Sequence, residues 1–323
     1  MLIRAGFEIT YFCPTATPLL TLLSVHPSRR GDLRTPDDLK LNGAPITQQF
    51  LDPYGNLCGR AVAPQGFVTL SSDFVIRDGG QPDLVLPCAE QHAVEDLPEE
   101  VLIHLRGSRY CETDQMSDLA WRLFGWTRPG WERVQAIVDY AHNQIAFGYE
   151  HARPTRTAYE AHEERRGVCR DYAHLAITLC RCMNIPARYC TGYLGDIGVP
   201  PVDSPMDFSA WFEVYLDGGW RTFDARHNTP RIGRIVIARG QDAADVAITH
   251  SFGEAQLVNF KVITDEVPER PLAESADSER RPASVGQVQQ RRVAALGGDV
   301  DADGALHGVA AERVGAAGLG ARA

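Results

Sequence analysis

The sequence predicts an α+β chain, and three observations predict it. The first third alternates as strands do, the middle carries apolar residues at spacings of three and four, and alternation returns after Pro186. The 323 residues, at roughly 150 per domain, suffice for about two domains with a real core. Hydrophobic residues make up 44% and charged residues 23%, which excludes a collagenous, coiled-coil or wholly disordered chain.

In the first third, Phe7, Ile9 and Tyr11 alternate with Glu8 and Thr10, the period of a half-buried strand. An apolar run covers residues 19–25, and turn signals follow at Asp52-Pro53-Tyr54-Gly55-Asn56 and Asp78-Gly79-Gly80. Between them, residues 66–76 are rich in Phe, Val, Thr and Ile. Several short strands between polar turns predict a β domain over residues 1–95, a sandwich or a partly open barrel.

A second domain is expected over residues 96–267. Residues 114–124 read as a short helix, and residues 131–145 carry Val134, Ile137, Val138, Ala141 and Ile145 on one stripe. Another helix is expected over 158–165, closing at Gly167. Residues 169–183 are apolar nearly all round, the mark of a buried central helix. That helix stops before Asn184-Ile185-Pro186, because a residue preceding proline is pushed out of the helical region. Strands are predicted over 187–194, 209–216 and 219–224, the last two joined by a hairpin at Asp217-Gly218-Gly219, with further strands at 235–238 and 256–263. Residues 268–323 are rich in Ala and Gly, and from 271 onward they lack aromatics, so a disordered tail is expected.

Charge and cysteine usage narrow the function. Thirty-two basic against 42 acidic residues give a net charge of −10, and the basic residues form only isolated pairs such as Arg165-Arg166. Nucleic acid is therefore not an expected partner. Arg4 and Glu8 interrupt any apolar core of a secretory signal, and no stretch approaches the ~20 apolar residues of a membrane span. The expectation is a cytoplasmic protein with no membrane partner. Eight cysteines are scattered without small-domain spacing, which reads as free thiols. No metal or cofactor is expected. Cys180 and Cys182 point ~200° apart on one helix, His162-Glu163-Glu164 lacks the second histidine of a zinc helix, and Asp299, Asp301 and Asp303 open a calcium-like loop that has Ala310 at its twelfth position.

The chemistry centres on Gly167-Val168-Cys169-Arg170-Asp171-Tyr172-Ala173. A cysteine in the first turn of a buried helix faces the positive end of the helix dipole, which lowers a thiol pKa toward the nucleophilic thiolate. Free N–H groups there also suit an oxyanion. Cys169 is thus the expected nucleophile and the expected fastest-alkylated thiol. Asp171, in the same turn, is expected to cap.

These residues resemble the transglutaminase-like superfamily of papain-related cysteine enzymes. The resemblance rests on five pieces in order: the segment above, Asn184-Ile185-Pro186-Ala187-Arg188, Gly192-Tyr193, Ser209-Ala210-Trp211-Phe212-Glu213-Val214, and Thr222-Phe223-Asp224. It implies a papain-like transglutaminase core, with a central helix on an antiparallel sheet. It also implies a Cys-His-Asp triad for thiol-based acyl transfer on protein or peptide amides, by hydrolysis or by transfer to an amine. Cys169 matches the nucleophile and Asp224 the orienting acid. Where the family has histidine, this chain has Ser209, and a hydroxyl is no general base near neutral pH. His227 is the candidate replacement, although three residues after Asp224 it faces away unless the strand ends there. His174, ~140° round the helix from Cys169, is expected in the core. The alternative reading is a non-catalytic binding module that kept the cleft and lost the base.

Overall fold

The computed structural model describes residues 1–202 and 206–267; the expected Ala- and Gly-rich tail lies outside the described residues. The chain opens with strands β1 (Leu2–Cys13), β2 (Thr17–Thr21), β3 (Lys40–Leu41), β4 (Ala44–Pro45), β5 (Gln48–Leu51), β6 (Leu57–Ala63) and β7 (Gly66–Arg77). Helices α1 (Thr113–Phe124) and α2 (Trp131–Gln144) follow, then β8 (Ala146–Phe147), α3 (Ala158–Glu164), β9 (Arg166–Gly167) and the central α4 (Cys169–Cys182). The chain continues through β10 (Ala187–Tyr193), β11 (Ser209–Leu216), β12 (Gly219–Phe223) and β13 (Ile235–Gly240) to β14 (Thr249–Ser251) and β15 (Gln256–Val267).

The predicted alternation of the first strand is observed: Ile3, Phe7, Ile9 and Tyr11 are buried while Arg4 and Glu8 face solvent. β1 pairs with β7 from Leu2↔Arg77 to Cys13↔Gly66. Its other edge pairs with β15, from Leu2↔Val267 to Phe12↔Gln256, with a bulge after Thr10. β14 likewise pairs with β2. The last two strands therefore close the N-terminal sheets, β15-β1-β7-β3-β4 and β14-β2-β6-β5, instead of joining the core sheet. A long twelve-residue strand such as β1 leaves a row of unpaired backbone groups on any open edge, and β15 covers it.

The core sheet runs β12-β11-β10-β13, all antiparallel. Its hairpin turns at Asp217 and Gly218, with φ of 51° and 69°, the paired left-handed residues of a two-residue loop. Helix α4 is buried all round from Asp171 to Cys182, as its sequence predicts, and contacts α1, α2, α3, β10 and β11. Helix α3 ends on Arg165 in the left-handed conformation, two residues before the expected Gly167. Short 3-10 turns at Val94–Asp96 and Glu99–Leu105 have no periodicity for a sequence to display. The main hydrophobic cluster runs from Ile3 in β1 through α4 to Val262 in β15, and Cys190, Trp211 and Val236 form a small second one. Among the described residues, no helix is long and apolar enough to cross a membrane.

Candidate active site

The turn into α4 explains the Gly-x-Cys-x-Asp spacing. The Asp171 carboxylate accepts from the Val168 N–H at 2.8 Å and pairs with buried Arg156 at 3.1 Å. Asp171 thus caps the helix, as expected. A Cβ on Gly167 would lie 2.6 Å from that carboxylate oxygen, so only glycine lets the chain pass. Gly192 is constrained in the same way, because a Cβ there would stand 2.1 Å from the Ile235 carbonyl oxygen. Both motif glycines are therefore required by packing.

Cys169 is half-buried at the start of α4 and lines a cavity of about 150 Å³ together with Tyr149, Asp207 and Ser209. The Ala210 N–H is directed at its sulfur. Burial pushes the thiol up to about 11; nearby Arg226 opposes the shift and Asp207 adds to it. The expected lowering does not occur. Desolvation by the protein packed round the sulfur is the largest cause, and it runs against the lowering that a helix end provides. Asp207 accepts from the Phe208 N–H at 2.7 Å, and burial pushes its carboxyl up to about 6 against that bond and Arg226. Arg226 itself stacks over Phe147 at 3.9 Å.

The other expected site residues form a second cluster. β12 ends at Phe223, and the chain turns so that the Asn228 N–H bonds the Asp224 carbonyl at 2.8 Å. That turn brings His227 back to Asp224: its N–H donates to Oδ1 at 3.0 Å and its Nδ1 to Oδ2 at 2.8 Å. Arg234 reaches the same Oδ2 at 2.9 Å and bridges to Asp83 at 2.9 Å. Burial alone would raise the Asp224 pKa, yet Arg234 and the His227 bonds hold it well below the usual carboxylate range. The Phe212↔Phe223 register sets Asp224 opposite Trp211, as the two-residue hairpin requires. Ser209 lies buried beside Cys169, and its Oγ has no hydrogen-bond partner among the described residues. Cys169 and Ser209 thus share one cavity, while Asp224 lines another with Trp131, Gln135 and Asn228; the lining of the Cys169 cavity includes neither Asp224 nor His227.

His174 is fully buried, as expected, and its Nε2 accepts from the Ala243 N–H at 3.1 Å while its ring stacks on Tyr110. Asp207, Tyr149 and Arg226 carry no motif signal. Asp207 could have been found from Ser209, since residues two apart in extended chain share a face. Among the described residues, no group of three or more His, Cys, Asp or Glu is arranged to hold a metal ion.

Residues 117–225 match the family model of the transglutaminase-like superfamily. The crystal structure of a proposed cysteine protease from Cytophaga hutchinsonii superposes with a TM-score of 0.68 at 29% identity, covering 84% of this chain and 93% of that one. An uncharacterised protein of Mycobacterium leprae is 33% identical over 91 residues, 27% of this chain. The match spans about a third of that relative's length, 32%. The periplasmic domain of TgpA from Pseudomonas aeruginosa aligns at 16% identity and a TM-score of 0.36, over 69% of this chain and 88% of that one.

Proposed function

We propose, from the match of residues 117–225 to the transglutaminase-like superfamily model, that this protein is a thiol enzyme that transfers acyl groups from protein or peptide amides, Cys169 being the nucleophile. The observation that carries the reading is a cysteine at the opening of a central helix, in a cavity, beside a carboxyl group whose pKa lies near 6. The Cys169 sulfur attacks the amide carbonyl carbon while its proton passes to the Asp207 carboxylate. The Cys169 N–H, at the opening of α4, would donate to the developing oxyanion. Asp207 then returns the proton to the nitrogen as the C–N bond breaks, and the amine leaves a thioester on Cys169. Water or a second amine attacks the thioester, again losing its proton through Asp207, and the thiol is restored.

Burial holds the Cys169 thiol up to about 11 and the Asp207 carboxyl up to about 6, so a preformed thiolate is disfavoured. Proton transfer therefore accompanies attack, and the enzyme is slow beside one with a positioned imidazole. The raised thiol, with Ser209 at the family's histidine position, favours the second reading, a module that binds amide ligands without turning them over.

A cytoplasmic setting is part of the same proposal, on the scattered spacing of the eight cysteines in the sequence. The deciding experiment incubates the protein with peptide amides and follows intact mass. A thioester adduct that maps to Cys169 and is absent from Cys169→Ala supports the enzyme. Ligand binding without adduct or amine release supports the binding module.

A further inference from the structure

Outside the family-matched residues, one segment walls the Cys169 cavity. Ala243, Val246, Ala247 and Ile248, with Phe260 of β15 and Phe208 before β11, give it an apolar lining. That segment is fastened at several points. The Ala243 N–H bonds His174, the Ala244 and Tyr110 N–H groups bond the Asp242 carboxylate at 2.9 and 2.8 Å, and the Leu22 N–H bonds the Ile248 carbonyl at 3.0 Å. The wall is therefore built into the fold and held by the buried histidine of α4.

The arginines on the lining already have acidic or carbonyl partners, although Arg153 Nε has no hydrogen-bond partner among the described residues. Arg153 pairs with Glu160 at 2.6 Å and Glu164 at 3.0 Å, and Arg170 donates to the Arg153 carbonyl. An acidic side chain entering the cavity would meet Asp207 and paired arginines, and burying a charge without a partner is strongly unfavourable. The volume fits a different occupant. An apolar cavity of about 150 Å³ is large enough for benzene.

We infer that the wall formed by residues 243–248 and Phe260 is the specificity pocket of this site, and that it takes one phenyl- or isobutyl-sized side chain adjacent to the amide carbonyl presented to Cys169. The inference rests on Cys169 as the reactive group but not on turnover. Selectivity for acyl donors is then written in the return segment that joins the core to the N-terminal sheets.

The test measures alkylation of Cys169, in a Cys88→Ser background, by iodoacetamide and by chloroacetamides carrying benzyl, carboxymethyl or aminoethyl groups, each rate normalised to a free thiol in solution. The benzyl reagent is expected to gain about tenfold or more, the scale on which apolar pockets discriminate. Ala247→Trp should remove that gain, read as the ratio of the benzyl rate to the iodoacetamide rate of the same variant. Phe260→Ala, which only enlarges the pocket, should shift the preference to a naphthylmethyl reagent. No benzyl gain, a preference for the charged reagents, or a gain indifferent to both substitutions overturns the inference. A benzyl gain in a protein that forms no thioester leaves the pocket standing and removes only the acyl-transfer reading.

Discussion

The His227 imidazole lies against Asp224, Nδ1 to Oδ2 at 2.8 Å, on a turn that begins where β12 ends. Asp224 thus keeps an imidazole partner, but one supplied from its own turn and not from position 209. The acid is further committed to Arg234 and through it to Asp83. This cluster ties the turn after β12 to Asp83, in the stretch between β7 and α1.

The proposed function assigns proton transfer to Asp207, which lines the Cys169 cavity, because neither Asp224 nor His227 is on that lining. Asp207→Asn should lower amide turnover by roughly 10²-fold and abolish a rise in rate through pH 6, the point where burial sets its carboxyl. The sign follows from the role, since only ionised Asp207 accepts a proton and the rate climbs with pH. His227→Ala should leave the turnover profile within about twofold. The reverse pattern in a pH–rate series would assign the base to His227.

Thiol reactivity gives a second expectation. Cys88 is exposed, whereas Cys169 is half-buried with its thiol raised to about 11. Iodoacetamide mapped by mass spectrometry should modify Cys88 first. The Cys169 rate should rise about tenfold per pH unit from 7 to 10, as the thiolate fraction does. A plateau below pH 8 would mean that the helix end does lower this thiol.

These two expectations mark where the sequence stopped being informative. The first strand, the buried α4 and the hairpin at Asp217-Gly218 were legible because local periodicity and turn chemistry encode them. The Gly167-to-Asp171 motif was legible for the same reason, since one turn of chain holds all its contacts. The thiol pKa was not, because it depends on what packs round Cys169 from β11 and the segment before it. Likewise, alternation marks β15 as a strand but cannot say that its partner is β1, some 250 residues earlier, and so the wall of the cavity was invisible.

Acid stability should report the Asp224 cluster. Asp224 has a folded-state pKa below its unfolded value of 3.8, so its ionised form stabilises the fold. That contribution is fully present above about pH 5 and is lost as pH falls from about 4 through the folded-state pKa. Asp224→Ala, which leaves Arg234 buried with only Asp83, should destabilise by roughly 3 kcal/mol or more at pH 7 in urea unfolding. The gap between wild type and variant should shrink below pH 4. A gap that stays constant down to pH 2 would assign the loss to packing.

Ser209→His is the most discriminating substitution. Ser209 is buried on the Cys169 cavity with an unpartnered hydroxyl, so an imidazole placed there displaces no hydrogen bond among the described residues. It would stand in the same strand as Trp211, one step along the face from Asp224 across the hairpin. Asp224, however, already holds His227 and Arg234 on its carboxylate. The single variant should therefore raise turnover only modestly, because the new ring has no free acid to orient it. The double variant Ser209→His, His227→Ala takes the native imidazole off Asp224 Oδ2 and leaves only Arg234 there, so the new ring has a place on that oxygen. This variant should gain roughly 10²-fold or more over wild type and bring the Cys169 alkylation midpoint down by at least about two pH units, since imidazolium beside the sulfur favours thiolate. A double variant no faster than the single one would show that His227 does not compete for Asp224. A wild-type protein that outperforms both would place the working base where it already is, at Asp207.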